Sequence, residues 1–351
     1  VILTVLLEIF AGDIVSILQV PEESTEKAIL YIRICSGGVL VIIAYNVISG
    51  VLRGVGNANL PFLFVGIACV FNILGDLLFT GLLHMDVVGV ALATVLAQLI
   101  SVIISAAVLK RQNMPISFSK KQCCIHAREL KLILTVGVPI ALQEAMVQIS
   151  FLVINSIINQ MGLLPSAGYG IAQKVVSFIL LVPSSIMQSV SAFVAQNIGA
   201  GKLDRVKEGY KMCYVTVLTV GAGLCIMYQL FGGAFVSMFL ESGGSTAYSV
   251  GVSYVKFLSF FYAFIGLKAT TDGLLRGAGD VAAFTAANLV NLSIRVIVTN
   301  VFAPVYGIQV AWMAVPMGWA ANYIISFGWY LTGKWKRVKV ISADQGEKRK
   351  N

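Results

Sequence analysis

A seven-residue motif occurs twice in this chain, at positions 223 residues apart. Residues 50–56 read Gly-Val-Leu-Arg-Gly-Val-Gly, and residues 273–279 read Gly-Leu-Leu-Arg-Gly-Ala-Gly. The flanking sequence keeps the same register, because Tyr31-Ile-Arg33 and Tyr254-Val-Lys256 are separated by the same interval. A repeat in register predicts two copies of one structural unit. Duplicated helical units are typical of secondary transporters, which bind substrate between the halves.

The composition indicates that lipid surrounds these units. Hydrophobic residues make up 58% of the 351 residues and charged residues only 12%, which leaves too little polar surface to cover a water-soluble globule. Apolar stretches long enough to cross a bilayer follow one another along the chain. We therefore predict an all-α polytopic membrane protein with ten visible transmembrane helices. They lie near residues 1–12 (incomplete), 30–52, 60–82, 87–109, 132–160, 168–196, 212–235, 250–274, 283–303 and 308–332.

The repeat also predicts a longer parent chain. Val1 lies inside an apolar stretch without a methionine, a basic n-region or a cleavage site, so we expect neither a native start nor a signal peptide. The second copy has two helices, from about Lys131 to Lys211, before the equivalent of residue 1, which predicts about 90 further residues upstream. The complete protein would then have twelve helices in two parallel six-helix bundles. The predicted domains are the last four helices of an N-terminal bundle (1–110), a cytoplasmic linker (111–130), a C-terminal six-helix bundle (131–333) and a basic cytoplasmic tail (334–351).

Basic residues predict the orientation in the membrane. They gather on alternate connections, whereas the intervening connections hold acids or little charge. Short loops rich in Lys and Arg stay on the cytoplasmic side, so both termini of the complete protein should be cytoplasmic and the protein should lie in the cell membrane. Both heptads then fall on one side, as parallel repeats require. The basic connections are Arg53, 110–131, 202–211, Arg276 and 334–350.

The same charges predict which partners the protein has. The net charge of +9 is accounted for by cytoplasmic loops and a tail that contacts anionic lipid, so no nucleic acid is expected. No nucleophile, metal-ligand cluster or phosphate loop appears, and we predict no catalytic residue, no metal and no cofactor other than a coupling ion. Because an ATPase motif is absent, any active transport would have to draw on an ion gradient. We expect a monomer in contact with membrane lipids and small organic substrates.

Several segments, together with the heptads, resemble the multidrug and toxic compound extrusion (MATE) family. They are Asn72-Ile-Leu-Gly-Asp76, Pro139-Ile-Ala-Leu-Gln143, Tyr169-Gly-Ile-Ala-Gln-Lys174 and residues 193–205. The resemblance implies an H⁺- or Na⁺-coupled antiporter that exports cationic amphipathic drugs by rocking two six-helix bundles about a central cavity. A flippase for lipid-linked saccharides, from the same superfamily, is the alternative. Its pyrophosphate substrate would suit the bases Lys268 and Arg295, but the chain ends in a polar tail rather than a further helix pair.

Three carboxylates are candidates for ion coupling, because an ionisable group in a span costs roughly 2.5 to 3.5 kcal/mol and usually faces protein or water. Glu144, one turn after Pro139, is the first choice. The alternative is a solvated carboxylate, or one paired with Lys131. Asp272 is spaced to pair with Arg276 at a helix end. Asp76 would form a gating network, or a structural bridge, with Arg295.

Other polar residues are candidates for the substrate cavity. Lys268 lies deep in a span and either lines the cavity or belongs to a structural ion pair. Uncharged groups could line the same wall or tie helices together: Tyr45, Gln143, Asn155, Gln188 and Tyr262. Pro183 should kink its helix and act as a hinge or free a carbonyl for an ion. In the heptads, the glycines permit a tight turn, and Arg53 and Arg276 anchor it at a cytoplasmic gate.

Overall fold

The structure is a computed structural model that describes residues 2–17, 22–111, 126–240 and 246–337. Within these ranges the regular structure is helical. The helices are α1 (Ile2–Ile9), α2 (Ala11–Ile17), α3 (Glu22–Gly37), α4 (Val39–Gly54), α5 (Asn59–Asp76), α6 (Asp86–Arg111), α7 (Ala127–Asn159), α8 (Leu163–Gly199), α9 (Leu203–Ser237), α10 (Thr246–Ser259), α11 (Tyr262–Gly277), α12 (Val281–Tyr306) and α13 (Ile308–Leu331). A π-helical segment, Leu77–Leu82, continues α5, and a 3₁₀ turn, Lys334–Arg337, follows α13.

The predicted helical membrane fold is confirmed. Among the described residues, seven helices are long and apolar enough to cross a membrane, and two bent pairs raise the number to as many as nine. The bent pairs are α3–α4, with a 49° bend, and α10–α11, with a 54° bend. These nine spans coincide with nine predicted stretches. The remaining stretch, near residues 1–12, covers the short helix α1 and the start of the short helix α2, so the count of ten is not confirmed.

The chain forms two compact units, Val1–Cys123 and Cys124–Asn351. The predicted linker lies mostly outside the described residues, as does the predicted tail beyond Arg337. The domain limits and the six-plus-six arrangement therefore stay predictions.

The first unit has a small core where α4, α5 and α6 meet. Tyr45, Leu52 and Phe64 are its buried members. The Tyr45 hydroxyl donates to the Pro61 carbonyl at 3.4 Å, and the Ser101 hydroxyl donates to the Phe64 carbonyl at 3.1 Å. Hydroxyl-to-carbonyl bonds between apolar helices satisfy polar groups that lipid cannot.

The second unit has larger cores, rich in aromatic residues. Tyr254 on α10 is buried between Tyr169 on α8 and Trp312 on α13, at centroid distances of 5.2 Å and 5.3 Å. A second cluster joins Leu274 and Leu275 on α11 to α8, α9 and α12. These contacts fix the helices that enclose the cavity described below.

The duplication is visible in the helix boundaries. Helices α4 and α11 begin and end at positions 223 residues apart, and each is preceded by a bent partner helix. Both heptads end in the same turn. Gly56 and Gly279 have φ values of 90° and 79°, and the amides of Asn57 and Asp280 bond to carbonyls five residues earlier, each at 2.9 Å. Glycine adopts positive φ without steric cost, which explains its place at the helix ends.

Glycines of the second heptad also let two helices pack closely. A Cβ atom on Gly273 would lie 2.6 Å from the Met187 carbonyl oxygen, and one on Gly277 would collide with the Ser191 carbonyl oxygen. Both carbonyls belong to α8. Small residues at such spacing allow helix backbones to approach in membranes, so the heptad holds α11 against α8.

Candidate functional site

A cavity of about 190 Å³ lies inside the second unit. It is bounded by α7, α8 and α10 to α13, and its wall is largely apolar, with contributions from Phe151, Leu180, Leu258 and Trp319. Six of the candidate residues line it: Gln143, Glu144, Pro183, Lys268, Asp272 and Arg295. The structure therefore brings together about half of the predicted site.

A buried ion pair forms part of the wall. The Lys268 ammonium lies 2.8 Å from Asp272 Oδ2, one helical turn along α11. The Asp272 side chain is fully buried, and the Lys268 side chain is 15% exposed. Lys268 thus lines the cavity and also belongs to an ion pair. The sequence suggested Arg276, one turn later, as the partner of Asp272, whereas in the structure Asp272 pairs with Lys268.

Hydrogen bonds from two further helices complete this pair. On α12, Asn288 accepts from the Lys268 ammonium at 3.1 Å and donates to Asp272 Oδ2 at 3.3 Å. On α13, the Ser326 hydroxyl donates to Asp272 Oδ1 at 3.0 Å. A buried ion pair is tolerated when such bonds satisfy its remaining lone pairs and protons. The four side chains form one polar network, which continues to Asn322, since the Ser326 hydroxyl also lies 3.3 Å from Asn322 Oδ1.

Arg295 lies in the same cavity but has a different environment. It is only 3% exposed, and its guanidinium carbon sits 4.4 Å from the centroid of the Phe151 ring. Its Nε and Nη2 atoms have no hydrogen-bond partner among the described residues, where no carboxylate lies within ion-pair distance. Gly318 on α13 makes room for the side chain, because a Cβ there would lie 2.9 Å from Arg295 Cγ. Arg295 is therefore a buried cation that packs against the Phe151 ring of the cavity wall.

The α7 side of the cavity carries an amide and a carboxylate. Gln143 is 6% exposed, and its Oε1 has no partner in the described structure. Glu144 is exposed, and no ion pair joins it to a described residue within 4.0 Å. Pairing with Lys131 is therefore not observed. Glu144 is a carboxylate open to water, which fits both the coupling role and the solvated alternative.

Two of the predicted cavity residues on α7 and α8 lie outside the lining. Asn155 and Gln188 are exposed. Tyr262 is 3% exposed and packs edge-on against Tyr228 at 5.8 Å, which makes it part of the core. In these cases the helical spacing did not reveal which face the residue occupies. Arg276 lies at the end of α11 and is partly exposed.

The first unit holds the remaining candidates. Tyr45 belongs to its core, and Arg53 is exposed in the last turn of α4. Asp76 ends α5, where the helix changes to its π segment, and Asp76 Oδ1 is buried without a partner among the described residues. Asp76 and Arg295 belong to different units, so the proposed network between them stays a prediction.

The sequence analysis missed the polar residues that complete the site. Asn288, Asn291 and Arg295 are spaced by three and four residues, which places them on one face of α12. That spacing could have drawn attention to the two asparagines. Ser326 carries no comparable signal, because a lone serine in an apolar helix usually bonds to its own backbone. Among the described residues, no group of three or more His, Cys, Asp or Glu could hold a metal ion.

Comparison with known proteins identifies the family. The family model described as MatE matches residues 1–78 and 139–301, which is more than half of the chain. The chain belongs to the MatE family. This membership confirms the resemblance that the motifs indicated.

Individual MatE-type relatives agree with this assignment. The Bacillus subtilis (strain 168) proteins named "Probable multidrug resistance protein YpnP" and "Probable multidrug resistance protein YoeA" are 28% and 25% identical to the chain. The first alignment covers 93% of this chain and 73% of the relative, and the second covers 97% and 75%.

A solved structure shows the same fold. The outward-facing conformation of a multidrug resistance MATE family transporter of the MOP superfamily superposes with a TM-score of 0.84 at 21% identity. The match covers 97% of this chain and 76% of that one. With its several spans, this MatE-family chain is a multi-pass membrane transporter and not an enzyme.

Proposed function

We propose that this transporter is a secondary active multidrug exporter that exchanges amphipathic organic molecules for H⁺ or Na⁺ by alternating access. Its relatives are named for multidrug resistance, and the sequence carries no phosphate-binding loop for ATP. The observation that carries the proposal is the cavity in the second unit, where ionisable side chains on membrane-spanning helices line a largely apolar wall. Ionisable groups in such positions mark ion and substrate paths.

Glu144 is the carboxylate best suited to exchange a cation. It lines the cavity, is exposed and has no ion-pair partner among the described residues. Asp272 also lines the cavity, but a proton or Na⁺ would have to displace the Lys268 ammonium and two hydrogen bonds. A cation on Glu144 would compete with a cationic drug for the same carboxylate, which is how antiport couples the two.

The proposal has a direct test. The complete protein is reconstituted in liposomes, and ethidium movement is recorded while a proton gradient and a sodium gradient are imposed separately. We expect one gradient alone to drive ethidium, and Glu144→Gln to slow the driven movement about tenfold or more, because the substitution removes the charge and keeps the shape. Glu129→Gln is the matched control, since Glu129 is an exposed carboxylate on the same helix outside the cavity.

The opposite results would reject the proposal. Equal loss of transport in Glu129→Gln and Glu144→Gln would remove the coupling role from Glu144. If neither gradient moves ethidium while a labelled anionic lipid is translocated, the flippase alternative replaces drug export.

We also propose that the protein works as a monomer in the cell membrane with its basic connections in the cytoplasm. The alternation of lipid-embedded spans with basic and acidic connections supports this orientation. Rocking of two helical bundles would expose the cavity to each side in turn, with Pro183 as a hinge in the cavity wall. Anionic lipids would contact the basic loops.

A further inference from the structure

We propose that the cavity of the second unit contains an anion-binding subsite, and that Arg295 binds the carboxylate or phosphate group of an amphipathic ligand. The inference deepens the proposed function, on which it rests for the claim that the bound molecule is transported. Binding itself can be tested without transport.

Arg295 is the cation in this cavity with unmet hydrogen-bonding capacity. A guanidinium has five N–H donors and stays charged at any physiological pH. Two of its nitrogen atoms, Nε and Nη2, are buried and lack partners in the described structure. Leaving a buried charge without partners is strongly unfavourable, so the geometry favours an acceptor that arrives with a ligand.

Neither carboxylate of the cavity wall pairs with Arg295. Asp272 already accepts from Lys268, Asn288 and Ser326. Glu144 lies on the exposed side of α7 and is not within ion-pair distance of Arg295. The Lys268–Asp272 pair neutralises itself, so Arg295 and Glu144 are the two lining charges without an ion-pair partner among the described residues.

The surroundings of Arg295 define the ligand more closely. Its guanidinium lies over Phe151, and most of the cavity lining from α8, α10 and α13 is aliphatic or aromatic. Arg presents a planar fork of donors that matches carboxylate and phosphate oxygens in pairs. A ligand that satisfies both features has an anionic head and an apolar or aromatic body.

A glycine of α13, Gly318, leaves room for the Arg295 side chain. Gly318 faces both Asn291 and Arg295, and any Cβ at this position would collide with Asn291 Oδ1 and crowd Arg295 Cγ. Asn291 itself is 4% exposed, and its Oδ1 has no partner among the described residues. It stands one turn before Arg295 on the same face of α12. A hydroxyl or amine on the ligand could donate to this amide oxygen.

The test uses three probes that share one apolar body. They are 1-naphthoate, the neutral 1-naphthamide and the cationic 1-naphthylmethylammonium, each measured by equilibrium dialysis against the complete protein in detergent. We expect 1-naphthoate to bind more tightly than the amide. Arg295→Gln should weaken the affinity for 1-naphthoate by roughly tenfold or more, since hydrogen bonds between charged groups are stronger than neutral ones. The affinity for the amide should stay unchanged. Lys174→Gln is the control, because Lys174 is an exposed base of α8 outside the cavity.

A second variant keeps the proposal testable if Arg295→Gln fails to fold. Asn291→Asp is nearly isosteric and places a carboxylate one turn from Arg295, where it supplies an internal counter-ion. We expect Asn291→Asp to fold and to lose the preference for 1-naphthoate over the amide. Equal binding of the two probes by the unaltered protein, or an unchanged preference in Asn291→Asp, would overturn the subsite.

Failure of the site and failure of the proposed function give different results. Preferential binding of 1-naphthoate without gradient-driven ethidium movement would reject drug export and leave the subsite intact. Gradient-driven ethidium movement together with no discrimination among the three probes would reject the subsite alone.

Discussion

Asp272 connects three helices through one side chain. It accepts from Lys268 on α11, from Asn288 on α12 and from Ser326 on α13, and it is fully buried. Because lipid cannot solvate a lost partner, each of these bonds stabilises the packing of the second unit. The pair with Lys268 is the strongest of them, since both groups carry charge.

At the scale of residues, the first prediction concerns this pair. Asp272→Asn should destabilise the protein by about 3 to 5 kcal/mol, because it leaves the Lys268 ammonium without its counter-ion in the wall of the cavity. Asp272→Asn combined with Lys268→Met should recover part of that loss. The measurement is the thermal unfolding midpoint of the purified protein in detergent.

An exposed ion pair supplies the control. Lys207 and Asp204 lie 2.9 Å apart near the start of α9, with side chains 45% and 91% exposed. Asp204→Asn should leave the midpoint unchanged, because water screens such pairs. A double variant less stable than Asp272→Asn alone would contradict the role given to the buried pair.

At the scale of helices, the contact between α11 and α8 depends on glycine. Gly277→Ala should lower the unfolding midpoint, because its Cβ would collide with the Ser191 carbonyl oxygen and approach Val194 Cβ to 2.9 Å. Neither atom can move without moving α8. We expect the free energy of unfolding to fall by roughly 1 to 3 kcal/mol, which is typical of overpacking.

Gly223→Ala is the matched control for that helix contact. Gly223 lies within α9, and a Cβ there would meet nothing within 4 Å. Alanine is a better helix former than glycine, so this variant should keep or raise the midpoint. Equal effects of the two substitutions would show that helix propensity and not helix contact decides the result.

Pro183 gives a prediction about motion within α8. The proline is buried inside this helix of 37 residues, where it removes one backbone hydrogen bond. Pro183→Ala should restore that bond and slow ethidium transport, because the hinge stiffens. The affinity for 1-naphthoate should stay within about twofold of the unaltered protein. Pro304→Ala, at an exposed position near the end of α12, should leave transport unchanged. Normal transport by Pro183→Ala would contradict the hinge.

Helix existence could be predicted from the sequence because apolar length alone determines it in a membrane. The bend after Gly37 coincides with Ser36-Gly37-Gly38, residues that are typical of helix kinks. The bend after Ser259 could not be predicted, because the sequence continues there with Phe260-Phe261-Tyr262. Within the site, the charges at Lys268, Asp272 and Arg295 were recognisable, since any charge in a span demands a partner. Which partner each one has depends on how α11, α12 and α13 are rotated, and a single sequence does not specify that rotation.

At the scale of the whole molecule, the two copies share helix boundaries and a turn but not a charge pattern. The positions equivalent to Lys268, Asp272 and Arg295 are Tyr45, Ser49 and Asn72. Helices α4 and α11 nevertheless have the same bounds relative to the repeat. The duplicated feature is therefore the bent helix pair with its terminal turn, whereas the polar network is specific to the second copy. The ion and anion recognition that we propose for the cavity of the second unit therefore rests on side chains that the first copy lacks.

The last prediction tests whether the copies are parallel. Single cysteines are introduced at exposed alanines beside the two heptads, as Ala58→Cys and Ala282→Cys, in a complete protein whose native cysteines have been replaced. A third variant, His84→Cys, marks the intervening connection between the π segment and α6. If basic connections are cytoplasmic, a membrane-impermeant maleimide added to intact cells should label the cysteine at 84 and not those at 58 and 282. After permeabilisation all three should react, which controls for accessibility. Labelling of only one heptad position from outside would mean inverted repeats, and the prediction of parallel repeats would then be wrong.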